Sequence, residues 1–192
     1  MLRNNFEQDI KQCIKVLREG GTILYPTDTV WGIGCDATNE AAVQKVFSIK
    51  RRADSKSLIL LTDSAAKLSV YAEFVPDIAY DLVEISEKPV SIVYSGARNL
   101  AKNVIAADGS VALRVTREKF SRELCMRFRK PVVSTSANIS GMHAPANFAE
   151  IAENIIASVD YVVKFRQNEL VMSAPSSIIK LSKNAEFQLI RI

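Results

Sequence analysis

Thr22-Ile23-Leu24-Tyr25-Pro26-Thr27-Asp28-Thr29-Val30-Trp31-Gly32-Ile33-Gly34 is the stretch whose reading decides the fold. Its first four residues are a short apolar run that reads as a buried strand, and Pro26, with no N–H for a ladder, ends it. Residues 27–34 are rich in hydroxyls and glycine and read as a loop. Upstream, Phe6, Ile10, Cys13, Ile14 and Leu17 recur at helical spacing, with Gly20-Gly21 as the stop. Downstream, Asn39 is placed to cap a helix with the apolar stripe Val43, Val46 and Phe47, ending near Arg51. Leu58-Ile59-Leu60-Leu61 is the next strand. Strand, helix and strand within about forty residues predict two parallel strands joined by a right-handed crossover.

The rest of the chain extends the alternation. Helices are expected over residues 64–71 and from Pro76 through Ile78, Leu82, Val83 and Ile85. Val90-Ser91-Ile92-Val93-Tyr94 reads as a strand, and the Asp108-Gly109 turn leads into another at Val111-Ala112-Leu113-Arg114-Val115. Phe120, Leu124, Met126 and Phe128 belong to the following helix, and Val132-Val133-Ser134 is a short strand. Asn147 with Glu150 makes a capping pair for a helix containing Phe148, Ile151 and Ile155. Strands close the chain at Tyr161-Val162-Val163, Ser177-Ile178-Ile179 and Phe187-Gln188-Leu189-Ile190. The expected fold is α/β: a twisted mixed β-sheet with flanking helices. No repeat, low-complexity tract or linker divides the chain, so a single domain over residues 1–192 is expected.

Composition narrows the function classes. A chain of 192 residues, 48% of them hydrophobic, buries roughly 70% of its unfolded surface and needs no disulfide or metal to hold a core. The formal net charge of +4 permits a nucleotide or RNA partner without demanding one. Cys13, Cys35 and Cys125 are odd in number and far apart, which argues against a disulfide framework and a zinc knuckle and points to a reducing cytoplasm. The N-terminus has no continuous apolar stretch, and no run approaches membrane-spanning length, so neither a signal peptide nor a membrane partner is expected. The single histidine, His143, sits between Gly141 and Pro145 and reads as a solvated loop residue.

Three polar segments ask for more than packing. They are residues 26–32, then Lys50-Arg51-Arg52 with Lys56, then Ser134-Thr135-Ser136-Ala137-Asn138-Ile139-Ser140-Gly141. The first and third follow apolar strands, and the second closes a helix. Ligands collect at strand ends in open α/β sheets. Clustered cations with hydroxyls and an amide suit a polyanion such as a nucleotide. Gly32-x-Gly34-x-x-Ala37 is a poor dinucleotide fingerprint, because its glycines come too long after the strand. No Walker loop, no Gly-x-Ser-x-Gly elbow and no kinase Asp-Phe-Gly is present. No carboxylate cluster offers a metal cage, so magnesium is expected to be carried with the nucleotide.

In this order the segments resemble the YrdC/TsaC family, the threonylcarbamoyl-AMP synthases. The likeness runs through Pro26-Thr27-Asp28-Thr29-Val30-Trp31-Gly32-Ile33-Gly34, Lys50-x-Arg52, Gly109-Ser110-Val111-Ala112-Leu113-Arg114, residues 134–141 and Pro175-Ser176-Ser177-Ile178. It implies a basic concave cavity and an activity: L-threonine, bicarbonate (or carbon dioxide) and ATP, with Mg2+ accompanying the ATP, give threonylcarbamoyl-AMP and pyrophosphate. The product would serve threonylcarbamoyladenosine modification of tRNA, with tRNA threonylcarbamoyl-transfer proteins as partners and affinity for tRNA or double-stranded RNA. By resemblance, Lys50 and Arg52 hold the triphosphate and the developing carbamate, with Lys56 adding a contact. Ser136 and Asn138 orient phosphate and ribose, Ser110 touches the nucleotide, and Arg191 reaches it from the last strand. Arg114 clamps the threonine carboxylate, while Thr27, Ser134 and Ser176 line the amino-acid pocket.

The chain departs from the family's commonest pattern at Ser57, at Leu61 and at Lys88-Pro89-Val90-Ser91-Ile92. The first two bear on amino-acid selectivity and the third on the cavity floor. It also ends shortly after Arg191, so the extra C-terminal domain of longer relatives is not expected. The competing reading is a non-catalytic RNA-binding or ribosome-maturation module, built on Arg114, Arg117, Lys119, Arg122, Arg127, Arg129 and Lys130. Those segments lack interleaved aromatics for base stacking. A hydrogenase-maturation carbamoylating domain is a third, and the chain lacks the length and the Cys-x-x-Cys it would need.

Overall fold

The computed structural model describes residues 6–51, 58–170, 175–182 and 186–191. Helix α1 (Glu7–Arg18) precedes a hairpin of β1 (Ile23–Tyr25) and β2 (Gly32–Gly34), after which α2 (Glu40–Lys50) leads to β3 (Ile59–Thr62). Next come α3 (Leu68–Tyr71), α4 (Asp77–Ile85), β4 (Val90–Tyr94), β5 (Val111–Val115), α5 (Lys119–Phe128) and β6 (Val132–Ser136). The chain finishes with α6 (Glu153–Ile156), β7 (Tyr161–Val162), β8 (Ser177–Leu181) and β9 (Phe187–Arg191). Among the described residues nine strands join one mixed sheet in the order β7-β1-β2-β6-β3-β5-β4-β8-β9.

The opening stretch folds differently from its sequence reading. Gly32-Ile33-Gly34 is a strand, antiparallel to β1 through Ile23↔Gly34, Leu24↔Ile33 and Tyr25↔Gly32. The hairpin reverses the chain before α2, so β1 and β3 run in opposite directions. The parallel pair joined by α2 is instead β2 and β3, with β6 between them and antiparallel to both. Packing explains the glycine at residue 34. A Cβ on Gly34 would lie 2.6 Å from Tyr25 Cε1 and 2.7 Å from the Val133 carbonyl oxygen. The Tyr25 ring occupies that space, and its hydroxyl donates to the Val133 carbonyl at 3.0 Å.

Elsewhere local signals hold. Asn39 caps α2 by accepting from the Ala42 N–H at 3.1 Å, and Arg51 ends that helix in the left-handed region. The Glu118 carboxylate caps α5 by accepting from the Phe120 and Ser121 N–H groups. Asp9 ties α1 to the segment after β7, accepting from the Tyr161 hydroxyl at 2.5 Å and the Phe165 N–H at 2.9 Å. Phe6, Phe120 and Phe165 close the same region as an aromatic cluster. The helix expected after Asn147 is broken into a 3-10 turn at Phe148–Glu150 and the short α6. There the Asn147 side chain donates to Glu150 Oε1 and caps no helix.

Strand alternation gives the sheet two unlike faces. Leu60, Leu113, Val133 and Ile92 form one fully buried apolar row across β3, β5, β6 and β4. On the other face, Leu61 pairs with Arg114, Ser91 with Ile178 and Ile178 with Arg191. Ser91 is one step beyond the Ile92↔Leu113 pair and so falls opposite Arg114. Two arginines and a serine therefore share one row of one face, far apart in sequence.

Candidate active site

A cavity of about 280 Å³ opens over this second face. Of the residues named from the sequence, Arg114, Ser134, Ser136, Asn138, Ser176 and Arg191 line it together. Ser134 and Ser136 are alternate residues at the end of β6 and point to the same side. Gly32 lies against them: a Cβ there would be 3.3 Å from Ser134 Oγ, so its lack of a side chain leaves the hydroxyl row open.

Arg114 is the floor's central charge. It is 3% exposed, its Nη2 lies 3.0 Å from Asp28 Oδ1, and it donates to Thr29 Oγ1 at 3.3 Å. The contact to Asp28 is ionic without a directed hydrogen bond, and Arg114 Nε is buried without an acceptor. An unpaired donor in so buried a place is costly unless a ligand satisfies it. Arg191 is the second cation. Its Nε and Nη2 donate to the Ser176 carbonyl at 3.0 and 2.8 Å. Burial, and secondarily the nearby Arg114 charge, pull its pKa below the ordinary arginine value. Ser176 is held from beneath by the fully buried Ser91, their Oγ atoms 2.9 Å apart. Ser91, within the departure at residues 88–92, thus touches a residue that lines the cavity.

Other expected residues sit around the cavity rather than in its lining. Lys50 is 2% exposed, and its ammonium donates to the carbonyls of Ser136 at 2.5 Å and Asn138 at 2.7 Å. It also reaches Asn138 Oδ1 at 3.5 Å, while the Ser140 N–H returns a bond to the Lys50 carbonyl. Thr27 is buried and pins its own turn, donating to the Val30 carbonyl and accepting from the Thr29 N–H. Ser110 lines an adjoining, more apolar cavity of about 440 Å³ with Asp108, Ala112, Lys180 and Ile190. Ile59 and Ile178 line both cavities, which makes them neighbours. There Ser110 donates through Oγ and N–H to Asp108, and Lys180 pairs with the same carboxylate at 2.8 Å. Hydrogen bonds from Lys180 and Ser110 pull the Asp108 pKa down to about 2. Arg52, Lys56 and Ser57 lie outside the described residues.

The arginine-rich series behind the RNA-binding reading disperses. Arg117 donates to carbonyls at the end of α4, including that of Ser86 at 2.9 Å. Arg127 pairs with Glu7 and Glu123, and Lys130 with Asp36. Sequence reasoning did not anticipate that Asp28 and Thr29 would bracket Arg114, or that Ile59 and Ile178 would wall the cavity. Strand alternation was the available signal for the isoleucines.

The sequence matches the Sua5/YciO/YrdC family model, described as telomere recombination, over residues 15–192. A threonylcarbamoyl-AMP synthase of Psychromonas ingrahamii is 36% identical over 148 residues, which is 76% of this chain and 78% of that protein. A doubly substituted P. abyssi Sua5 structure superposes at TM-score 0.87 and 26% identity, covering 96% of this chain and 56% of that one. P. abyssi Sua5 complexed with L-threonine superposes at TM-score 0.81 and 26% identity, covering 91% and 51%. This chain thus spans about half the length of those Sua5 chains. With nearly its whole length matched and its first and third polar segments meeting in one cavity, the chain belongs to the Sua5/YciO/YrdC family.

Proposed function

We propose that this protein is an L-threonylcarbamoyladenylate synthase, formed by one domain over residues 1–192. The observation that carries the reading is the meeting of Arg114, Arg191 and the Ser134–Ser136–Asn138 rim in one cavity, in a chain whose curated relatives are threonylcarbamoyl-AMP synthases. Threonine, through its free amine, attacks carbon dioxide and loses a proton, giving a carbamate; from bicarbonate the lost proton leaves with hydroxide as water. A carbamate oxygen then attacks the α-phosphorus of ATP and the bond to pyrophosphate breaks. Such a transfer needs in-line placement and stabilisation of phosphate charge more than covalent help.

Each group has a place in that sequence. Arg114 offers a planar fork whose Nε lacks an acceptor, which suits the threonine carboxylate. Ser134 and Ser176 line the same cavity, and Thr27 keeps the turn carrying Thr29 in shape. Arg191, close enough to Arg114 to feel its charge, faces the nucleotide phosphates. Ser136 and Asn138 meet phosphate and ribose, and Ser110 meets the nucleotide from the adjoining cavity. Lys50 acts through the backbone it holds, while Arg52 and Lys56 supply charge to the triphosphate. Among the described residues no group of three or more His, Cys, Asp or Glu is placed to hold a metal. Magnesium is read, as the family resemblance implies, as the companion of ATP, and no step is routed through it. The product passes to tRNA threonylcarbamoyl-transfer proteins in the cytoplasm, with tRNA or double-stranded RNA as a further partner.

Pyrophosphate release from ATP, with threonine and bicarbonate omitted in turn, tests the reading. Release should require both. Release indifferent to threonine overturns it and favours a different use of the cavity. Arg52→Ala should lower threonine-dependent release by at least about tenfold.

A further inference from the structure

Beyond the main cavity lies a second of about 350 Å³, lined by Asp28, Glu87, Lys88, Arg117 and Glu118 among others. Arg114 lines the first cavity and Asp28 the second, and their ion pair forms part of the wall between them. Resting on the synthase reading above, we propose that Asp28 is the positioning residue that holds Arg114 in register with the threonine carboxylate.

Three features support this role. The Asp28 side chain is 10% exposed and Arg114 3%, so the pair acts where charges are weakly screened. Asp28 Oδ1 sits 3.0 Å from Nη2 but takes no directed hydrogen bond, and Nε is likewise unclaimed. Asp28 therefore supplies the compensating charge and leaves Nε for a ligand. The alternatives for Arg114 also lie on the wrong side. Glu87 lines the second cavity and, with Glu118 already taken up by the α5 cap and Arg166, is the carboxylate left to draw the guanidinium out of the first once Asp28 is gone. Thr29 Oγ1, a neutral acceptor at 3.3 Å, is a weak hold by comparison.

The test is steady-state pyrophosphate release with threonine and ATP varied separately, alongside thermal shifts induced by each substrate. Asp28→Asn should raise the threonine KM by at least about tenfold and abolish the threonine-induced shift, while the ATP KM stays within about twofold. Asp28→Glu, which keeps the charge, should recover part of the threonine affinity, and it serves as the test if the asparagine variant does not fold. A threonine KM within twofold of wild type in the folded Asn variant overturns the proposal, or in the Glu variant where that alone folds, as does a parallel rise in both KM values or a Glu variant no better than Asn. Wild-type protein that releases pyrophosphate without threonine overturns the synthase reading instead, so the two failures are distinguishable.

Discussion

Arg114 sits on strand β5, where an arginine would ordinarily reach for water, yet it is buried on the floor of the cavity. Its value there is shape as much as charge. Replacing it with lysine keeps the cation but removes the two-donor plane. Arg114→Lys should therefore raise the threonine KM by about tenfold or more, with the ATP KM nearly unchanged, in rate measurements that vary one substrate at a time. A second residue-scale prediction concerns stability. Asp160 accepts from the Thr22 N–H at 2.7 Å and the Thr22 hydroxyl at 2.9 Å, joining the start of β7 to that of β1. These bonds, the backbone one foremost, hold its pKa below the ordinary carboxylate value. A lowered folded pKa contributes stability above the unfolded value of about 3.9, and that contribution fades as pH falls through the folded one. Asp160 is exposed and solvent screens the interaction, so Asp160→Ala should cost no more than about 0.5–1 kcal/mol at neutral pH by denaturant unfolding, and its gap from wild type should narrow below about pH 4. A constant gap across that range would assign the effect to packing instead.

At the scale of elements, α1, α2, α5 and the strands β3, β4 and β5 were legible because periodicity and caps agree locally, as with Asn39 and the stripe Val43, Val46 and Phe47. β2 was not. A strand written Gly-Ile-Gly has no local preference to read; it forms by pairing with β1 and β6, and residue 34 is glycine because the Tyr25 ring takes the space above it. Missing that strand also misplaced the crossover, since the hairpin reverses the direction in which α2 departs. Gly34→Ala should cost about 2–3 kcal/mol in chemical unfolding, because ring and backbone both stand well inside van der Waals contact with the new methyl. The hydroxyl-rich loop after β6 was legible as chemistry, but its support was hidden, because Lys50 and Asn138 are separated by much of the chain. The Lys50 ammonium joins the end of α2 to the carbonyls of Ser136 and Asn138. Lys50→Met removes that donor from buried acceptors, which costs about 1–3 kcal/mol and should also cut pyrophosphate release by at least about tenfold. Unchanged turnover in a destabilised variant would separate the fold of this loop from its function.

Across the whole molecule, the sheet divides its labour by position. Its middle strands carry the apolar row Leu60, Leu113, Val133 and Ile92 and hold the core. Its edge strand β9 pairs only with β8 and buries little, with Phe187 69%, Leu189 52% and Ile190 53% exposed. Yet β9 carries Arg191, whose guanidinium grips the Ser176 carbonyl from beside the cavity. A strand that contributes so little burial can be removed with modest loss of stability, which makes function and folding separable here. A chain stopped after residue 186 should unfold within about 10 °C of the full-length protein, because few apolar contacts go with the strand. The ATP-induced thermal shift should disappear, while the threonine-induced shift, which rests on Arg114 and Asp28 in the middle of the sheet, should persist. Loss of both shifts together would mean that β9 holds the cavity in shape as a whole. Retention of the ATP shift would remove Arg191 from the nucleotide site and leave the cations that follow α2 to bind the triphosphate.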